Sequence, residues 1–240
     1  MSLNADQTLG QVVAEHPHAA RVFEQAGIDY CCGGQRRLDE ACRQSGLSLE
    51  QLGEMLKDAG QTDIEGSGGW TTAPLAELVD HIVAKHHAYV RQETPRLQAL
   101  GAKVRGVHGK NHPELTAVAN AFEVVAQEMA MHMMKEERML FPYIVEMEKA
   151  SRGESPWPRA PFGSVQNPVQ MMMMEHDSAG GTLRGIRELT GDYAVPSDAC
   201  ASYRAFFEGL AQFEADLHQH VHLENNILFP RAVELEEQGA

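Results

Sequence analysis

A short motif that occurs twice in the second half of the chain constrains the fold more than any other feature. One copy runs from His132 to Pro142 as His-Met-Met-Lys-Glu-Glu-Arg-Met-Leu-Phe-Pro, and the other runs from His220 to Pro230 as His-Val-His-Leu-Glu-Asn-Asn-Ile-Leu-Phe-Pro. In each copy a His and a Glu are four residues apart, so on an α-helix both side chains leave the same face. Imidazole and carboxylate groups placed in this way can share a metal ion. The sequence therefore predicts two metal half-sites on helices.

Two further histidines lie at matching distances before the motifs. His87 precedes His132 by 45 residues, and His176 precedes His220 by 44 residues. If a helical hairpin turns midway between His87 and His132, the helix rise is about 33 Å outward and about 35 Å back, so the two side chains are level. Each half-site then has two His and one Glu. Periodicity alone does not separate His87 from its neighbour His86.

Strong helix breakers divide the chain after Pro74 into long amphipathic segments. The predicted helices span residues 74–107, 112–149, 168–191 and 197–236. Two short turns and one longer connection between these helices favour an up-down four-helix bundle. The preceding sequence predicts a short helical N-terminal domain over residues 1–60 and a Gly-rich linker over residues 61–73, which leaves residues 74–240 for the bundle domain. Strand signals are essentially absent, so the predicted fold is all-α.

Composition excludes several classes of partner. The chain has 34 acidic and 20 basic residues and a formal net charge of −14, which disfavours binding to a phosphate backbone. No apolar stretch reaches the roughly 18 residues of a membrane span, and the polar N-terminus lacks the pattern of a signal peptide. The four cysteines, two of them adjacent, do not form a disulfide framework. We therefore predict a soluble, cytoplasmic protein with neither a nucleic-acid nor a membrane partner.

The donor set of the two half-sites is typical of a di-iron centre. Its six predicted ligands are His87, His132, Glu136, His176, His220 and Glu224. Four imidazoles and two carboxylates that project into one bundle core suit two iron ions, because both donor types favour iron and the two Glu can bridge. With a bridging oxo or hydroxo group, each iron would be about five-coordinate. Each iron would then keep an open position for a small molecule such as NO or O₂.

Other residues near the motifs are expected to have secondary roles. Glu128 and Asp216 lie one turn before His132 and His220, and we expect them either to orient an imidazole through its free N–H or to be solvated acids. The run Met171–Met174 is predicted to be flexible core filling. By helical angle, four further histidines point away from the ligand face and are expected to be solvated or outside the ligand set: His81, His86, His218 and His222.

Two adjacent thiols, Cys31 and Cys32, lie in the N-terminal segment Asp-Tyr-Cys-Cys-Gly-Gly. Near a helix N-terminus such thiols would have a lowered pKa. They could then bind metal, nitrosyl or a persulfide, or react with a partner thiol. An ordinary structural role is equally compatible with the sequence. Cys42 and Cys200 are predicted to be ordinary buried cysteines.

Four motifs make the chain resemble the repair-of-iron-centres family, which is hemerythrin-like in its C-terminal domain. They are Asp-Tyr-Cys-Cys-Gly-Gly at 29–34, His-Met-Met-Lys-Glu-Glu at 132–137, Glu-His-Asp at 175–177 and Leu-Glu-Asn-Asn at 223–226. The resemblance implies a four-helix bundle with an oxo- and carboxylate-bridged di-iron centre held by the six ligands above, with His87 rather than His86 as the first. It also implies a seventh candidate, His108. If the first long helix is continuous, His108 lies about 31 Å beyond His87.

The resemblance implies that the protein repairs iron–sulfur clusters damaged by nitrosative or oxidative stress, with the di-iron centre as the source of iron. Its partners would be damaged iron–sulfur proteins, and Cys31 and Cys32 would transfer the iron or dock the client. One alternative is a di-iron nitric oxide reductase that forms N₂O with electrons from a donor protein. Another is an O₂- or NO-binding, hemerythrin-like sensor. The sequence leaves open whether the protein forms a homodimer.

Overall fold

The computed structural model describes residues 3–59 and 69–239, and these residues are helical apart from turns and loops. Their only β-type contact is an isolated antiparallel bridge between Thr8 and Arg37. The all-α prediction is therefore confirmed. None of the helices in the described ranges combines the length and the hydrophobicity that crossing a bilayer requires. Residues 61–68 of the predicted linker lie outside the described residues, so the boundaries at residues 60 and 73 stay predictions.

The N-terminal segment forms short helices whose ends are set by local sequence. These helices are α1 (Leu9–Glu15), α2 (Ala19–Gln25), α3 (Leu38–Gln44) and α4 (Leu49–Ala59). Thr8 and Gln11 form a reciprocal capping box at the start of α1. Ser48 and Gln51 make the same pair of hydrogen bonds at the start of α4. Gly27 has a φ of +65°, which ends α2 in a conformation that only glycine adopts at little cost.

The rest of the chain forms long helices close to the predicted positions. They comprise α5 (Leu75–His81), π1 (Ile82–His87), α6 (Ala88–His108), α7 (Glu114–Lys135), π2 (Glu136–Leu140), α8 (Phe141–Ser151), α9 (Gln166–Leu189), α10 (Ala201–Leu223), π3 (Glu224–Leu228) and α11 (Phe229–Gly239). The last of the four predicted helices begins at Ala201 rather than at residue 197. The left-handed backbone of Asp192 and Tyr193, with φ values of 62° and 57°, lengthens the preceding loop.

Three π-helical turns interrupt these helices, and sequence periodicity did not predict them. The first turn ends at His87, the second begins at Glu136, and the third begins at Glu224. Each π turn thus carries one of the predicted iron ligands. A π turn inserts extra backbone into an α-helix and rotates the side chains that follow, and such turns are frequent at functional sites.

The chain divides into two compact units. Residues 80–143 and 160–217 form one, called here the bundle unit, and residues 1–79, 144–159 and 218–240 form the other, called here the terminal unit. In the bundle unit, α6, α7, α9 and most of α10 pack as a four-helix bundle around buried aromatic rings. The rings of Phe122 and Phe213 meet edge to face, with centroids 5.2 Å apart. This core holds the helices that carry four of the predicted ligands.

The terminal unit is held together by polar contacts at its helix ends. The Glu148 carboxylate accepts hydrogen bonds from the backbone N–H groups of Leu75 (2.7 Å) and Ala76 (3.0 Å) and so caps the start of α5. Arg231 donates to the carbonyl groups of Trp70 and Ala73. In the same unit α1 packs against π3, the turn that begins with the predicted ligand Glu224. The N-terminal helices are therefore packed against a segment that carries part of the site.

Candidate metal centre

Four of the six predicted ligands come together in the bundle unit. His87, His132, Glu136 and His176 are all buried, with at most 1% of each side chain exposed. The Nε2 of His132 lies 3.3 Å from Glu136 Oε1, and the Nε2 of His87 lies 3.4 Å from Glu136 Oε2. The Nε2 atoms of His132 and His176 are 2.9 Å apart. Glu136 is thus the carboxylate that this group of histidines shares.

Carboxylates on the outer side of the rings fix their orientation. Glu137 accepts a hydrogen bond from His87 Nδ1 at 2.6 Å and also contacts Arg91. Glu175 accepts from His132 Nδ1 at 2.9 Å and also contacts Lys135. In metal sites, a carboxylate on the far nitrogen sets the tautomer of a ligating histidine and raises its basicity. Both rings therefore turn Nε2 towards Glu136.

The protonation states of Glu137 and Glu175 favour a cation between the histidines that they orient. Partial burial raises the pKa of Glu137, but hydrogen bonds and charge from His87 and Arg91 outweigh it and hold that pKa below its usual value. The pKa of Glu175 is lowered in the same way by Lys135 and His132. Because both carboxylates are ionised acceptors, each Nδ1 carries the hydrogen. Each Nε2 then either is protonated as well or points a lone pair at Glu136, an arrangement that a bound cation stabilises.

The distance between the two facing imidazoles also fits a metal ion. Two nitrogen ligands about 2.1 Å from one ion, at right angles to each other, lie about 3.0 Å apart. The Nε2 atoms of His132 and His176 are separated by 2.9 Å. The donor set of the bundle unit therefore fits a divalent cation.

The second half-site lies in the terminal unit. His220 and Glu224 are fully buried, and His220 Nε2 lies 3.0 Å from Glu224 Oε1. The helix α10 ends at Leu223, and π3 begins with Glu224, so the pair stands at the junction of α- and π-helix. The structure thus places these two residues together, as their spacing in the sequence predicts. Burying a carboxylate costs free energy unless it is paired or coordinated, which again favours a cation.

Of the two acids one turn before the motif histidines, one is solvated and the other contacts a histidine outside the predicted ligand set. Glu128 is exposed, and the Nδ1 of His132 is bonded to Glu175 instead. Asp216 accepts a hydrogen bond from His86 Nδ1 at 3.0 Å. The acids that do hold the ligands, Glu137 and Glu175, each directly adjoin a predicted ligand in sequence. The residue next to a ligand points about 100° away on one helix, so only its neighbours in the fold reveal this role.

The four histidines assigned away from the ligand face differ in burial. His86 and His222 are buried rather than solvated, so for these two the alternative of a solvated side chain is wrong. The polar partner of His86 is Asp216, and its ring also meets that of His81 at 5.8 Å. Burial lowers the pKa of His222 to about 4, so this ring is neutral. His218 is partly exposed, and its Nδ1 lies 3.8 Å from Glu24.

His108 does not join the ligand cluster. The helix α6 continues through Pro95 and two glycines to His108, which places His108 about 31 Å along the axis from His87. The ring of His108 packs edge to face against Tyr203 at 5.3 Å and lies 6.3 Å from the ring of His112. His108 therefore lies at the end of the bundle unit where α6 meets the following loop.

The adjacent thiols occupy a tight turn rather than a helix N-terminus. The Asp29 carboxylate accepts hydrogen bonds from the backbone N–H groups of Cys31 (3.2 Å), Cys32 (3.0 Å) and Gly33 (3.1 Å). The next helix begins only at Leu38. The hydrogen bond with Cys32, burial and the charge of Asp29 raise the pKa of the Cys31 thiol well above its usual value. The predicted lowering of the pKa is therefore wrong for Cys31, because a carboxylate faces the thiol where a helix dipole was expected.

Cys200 also differs from its prediction, since it is exposed rather than buried. Hydrogen bonds from the backbone N–H of Tyr203 and from the side chain of His108 lower the pKa of the Cys200 thiol to about 7. Cys42 is buried as expected, and burial raises the pKa of its thiol. Cys200 is thus an exposed thiol that is substantially ionised to thiolate at neutral pH.

The alkylation rate of Cys200 should therefore rise as the pH increases from 6 to 8, with a midpoint near its pKa of about 7. Iodoacetamide labelling followed by peptide mass spectrometry measures this profile for each cysteine separately. In His108→Ala the midpoint should move upward because one donor to the thiolate is lost. A wild-type midpoint at about 8.5, the value of a free thiol, would contradict this assignment.

The methionine run is only partly in the core. Met172 is buried, whereas Met171 and Met174 are exposed, so core filling is wrong for these two. With Met129 and Met131 they line a pocket of about 530 Å³ between α7 and α9. His132, Glu175 and Lys135 also line this pocket. A small apolar molecule can therefore approach a predicted ligand along flexible thioether side chains.

Comparison with known proteins agrees with the fold and the donor set. Residues 78–232 match the hemerythrin HHE cation-binding domain, and residues 5–60 match a domain of unknown function, DUF542. The matched segment 78–232 includes all six predicted ligands, and the buried His and Glu clusters have the donors that such a domain uses. The chain therefore contains a hemerythrin-type cation-binding helical domain.

Relatives that match over nearly the whole chain identify the family of proteins to which it belongs. The chain is 36% identical over 230 residues to a probable iron-sulfur cluster repair protein of Haemophilus influenzae, which covers 95% of this chain and 97% of the relative. It is 35% identical over 228 residues to the iron-sulfur cluster repair protein YtfE of Citrobacter koseri, and 34% identical over 228 residues to that of Escherichia coli O157:H7, again covering 95% and 97% of the two chains. The chain belongs to this family of DUF542–hemerythrin proteins.

Proposed function

We propose that the six predicted ligands, which supply four imidazoles and two carboxylates, bind two iron ions as one centre: His87, His132, Glu136, His176, His220 and Glu224. Each iron would then have two His ligands and share Glu136 and Glu224 with the other. A bridging oxo or hydroxo group completes about five ligands per iron. The duplicated sequence pattern and the extent of the matched domain, residues 78–232, support this proposal.

The function that this site supports best is the repair of damaged iron–sulfur clusters by donation of iron. The observation that carries the proposal is the buried His/Glu donor set in a chain whose full-length relatives are named iron-sulfur cluster repair proteins. Bound iron supplies the repair chemistry. A centre held by neutral imidazoles and two carboxylates can release Fe²⁺, because protonation of the imidazoles competes with the metal. The partners are therefore damaged iron–sulfur proteins.

The experiment that tests donation uses protein loaded with ⁵⁷Fe and an iron–sulfur dehydratase whose [4Fe–4S] cluster has been damaged by NO. Under anaerobic conditions, with sulfide and a thiol reductant supplied and a chelator present to capture free Fe²⁺, we expect the dehydratase to regain activity and to contain ⁵⁷Fe in its cluster. Glu136→Ala should not support the recovery, since it lacks the shared carboxylate. Recovery that does not depend on the loaded iron would contradict donation. So would many turnovers of NO to N₂O per chain, which is the expected behaviour of a di-iron nitric oxide reductase.

We also propose that Cys31 and Cys32 take part in the transfer of iron and do not hold the iron of the resting centre. Asp29, Cys31 and Cys32 offer ligand atoms within 4.8 Å of one another, enough for transient binding of a departing ion. The four cysteines are free, and we place the protein in the reducing cytoplasm, where they stay reduced. A cellular electron donor would keep the iron ferrous.

Replacing both Cys31 and Cys32 by Ser should leave iron content within about 20% of the wild-type value, because neither thiol belongs to the proposed ligand set. Repair of the damaged dehydratase should slow several-fold. Iron analysis and the ⁵⁷Fe transfer rate measure the two effects separately. Loss of the iron in this variant would instead assign the thiols to the metal centre.

A further inference from the structure

Asn226 joins the loop of adjacent thiols to the end of the helix that carries a proposed iron ligand. Its Nδ2 donates hydrogen bonds to the carbonyl groups of Tyr30 (3.1 Å) and Cys31 (3.2 Å). The same amide nitrogen lies 3.1 Å from His222 Nδ1. Asn226 is the third residue of π3, two positions after Glu224. All of these groups belong to the terminal unit.

Two glycines give Asn226 the space that it occupies. A Cβ on Gly34 would lie 2.1 Å from Asn226 Oδ1, and a Cβ on Gly10 would lie 2.6 Å from it. Gly10 and Gly34 are themselves joined, since the N–H of Gly10 donates to the carbonyl of Gly34 at 2.8 Å. Contacts below 3.0 Å are closer than real Cβ atoms approach, so any larger residue at either position displaces the amide. The amide is therefore enclosed by α1 on one side and by the thiol loop on the other.

The thiol held by this arrangement is closed to solvent. Only 5% of Cys31 is exposed, and its backbone carbonyl is one of the two acceptors of Asn226. On the inner side the ring of Tyr30 packs edge to face against those of His218 (6.3 Å) and His222 (5.6 Å). A bulky reagent or a partner protein reaches Cys31 only if the loop leaves π3. The hydrogen bonds of Asn226 are polar contacts that such a departure breaks, together with the backbone bond from Gly10 to Gly34.

We propose that Asn226 is a positioning residue that keeps the Cys31–Cys32 loop docked on π3, so that release of its amide controls when the buried Cys31 thiol reacts. Glu224 and Asn226 are two residues apart and therefore leave nearly opposite faces of the same turn. A change in this turn when iron leaves Glu224 is thus passed to the thiol loop on its other face. This link to iron release rests on the proposed function. The control of Cys31 reactivity by Asn226 does not depend on the proposed function.

Pulsed alkylation of the full-length, iron-loaded protein with isotope-coded N-ethylmaleimide tests the proposal. Asn226→Asp keeps the size of the side chain but removes both donors, and we expect the labelling rate of Cys31 to rise about tenfold or more. The added negative charge alone would slow thiolate formation, so an increase reports the opening of the loop. Buried Cys42 and exposed Cys200 serve as internal standards and should keep their rates. An unchanged rate at Cys31 would overturn the proposal, and so would a parallel rise at Cys42, since the opening would then be global.

Two further variants separate docking from general destabilisation. Gly34→Ala displaces the amide from the loop side and should raise Cys31 labelling as much as Asn226→Asp. The double variant Gly34→Ala/Asn226→Ala should label no faster than Asn226→Ala alone. Asn167→Asp is the matched control, because Asn167 also donates its amide to a carbonyl, that of Phe162 at 2.9 Å, but in the bundle unit. This control should label like the wild type. If the increases in Cys31 labelling caused by Gly34→Ala and by Asn226→Ala were additive in the double variant, the proposal would be overturned. Iron content, measured in parallel, shows separately whether the proposed centre exists.

Discussion

Glu136→Ala is expected to lose essentially all bound iron, from about two ions per chain to less than about 0.2, and Glu224→Ala is expected to do the same. Each carboxylate is proposed to bridge both ions, so its removal takes a ligand from each of them, whereas loss of an outer partner alone costs about 10- to 100-fold in affinity. Glu136 is fully buried and contacts the Nε2 atoms of both His87 and His132. Iron analysis after anaerobic reconstitution measures the effect.

Glu128→Ala is the matched control for this prediction. Glu128 lies one turn before His132, but it is exposed, and Glu175 holds the ring in its place. This variant should keep two ions per chain. Full iron content in Glu136→Ala would contradict the proposed ligand set.

Phe213→Ala should lower the free energy of unfolding by about 3–5 kcal/mol, the usual cost of truncating a buried aromatic side chain. Phe213 is 1% exposed, and its ring meets those of Phe122 at 5.2 Å and Tyr89 at 6.3 Å in the core of the bundle unit. Chemical denaturation followed by circular dichroism measures the change. Leu189→Ala, at a position that is 45% exposed, should stay within about 0.5 kcal/mol of the wild type. A loss below about 1 kcal/mol in Phe213→Ala would mean that this ring does not fill the core as described.

The helices and their ends were the most predictable part of the molecule. Apolar residues at helical spacing, interrupted by Pro and Gly, placed the long helices to within a few residues, and the Ser48 cap and the Gly27 stop are local effects that the sequence shows directly. Because His220 and Glu224 are neighbours on one helix, their pairing at 3.0 Å also follows from sequence spacing alone. These features depend on contacts within one or two turns.

What the sequence did not predict depends on contacts between elements. Glu175 orients His132 from another helix, at a separation of 43 residues, so no local rule identifies it. The π turns that begin at Glu136 and Glu224 have no signature in the hydrophobic periodicity, so the sequence there reads as continuous α-helix. The raised pKa of Cys31 has the same origin, since it depends on burial and on the Asp29 carboxylate rather than on a helix end. Sequence patterns thus placed the predicted His and Glu ligands on helices, whereas the fold determined which acids orient them.

Mössbauer spectroscopy of anaerobically purified protein reconstituted with ⁵⁷Fe tests the central claim most directly. The account predicts two iron ions per chain, as a pair of high-spin ions in oxygen- and nitrogen-rich surroundings that become antiferromagnetically coupled when oxidised. Glu136→Ala should lack this signal, and Glu128→Ala should keep it. A single uncoupled iron per chain, or a spectrum with the small isomer shift of sulfur-ligated iron, would contradict a di-iron centre built from these four histidines and two glutamates.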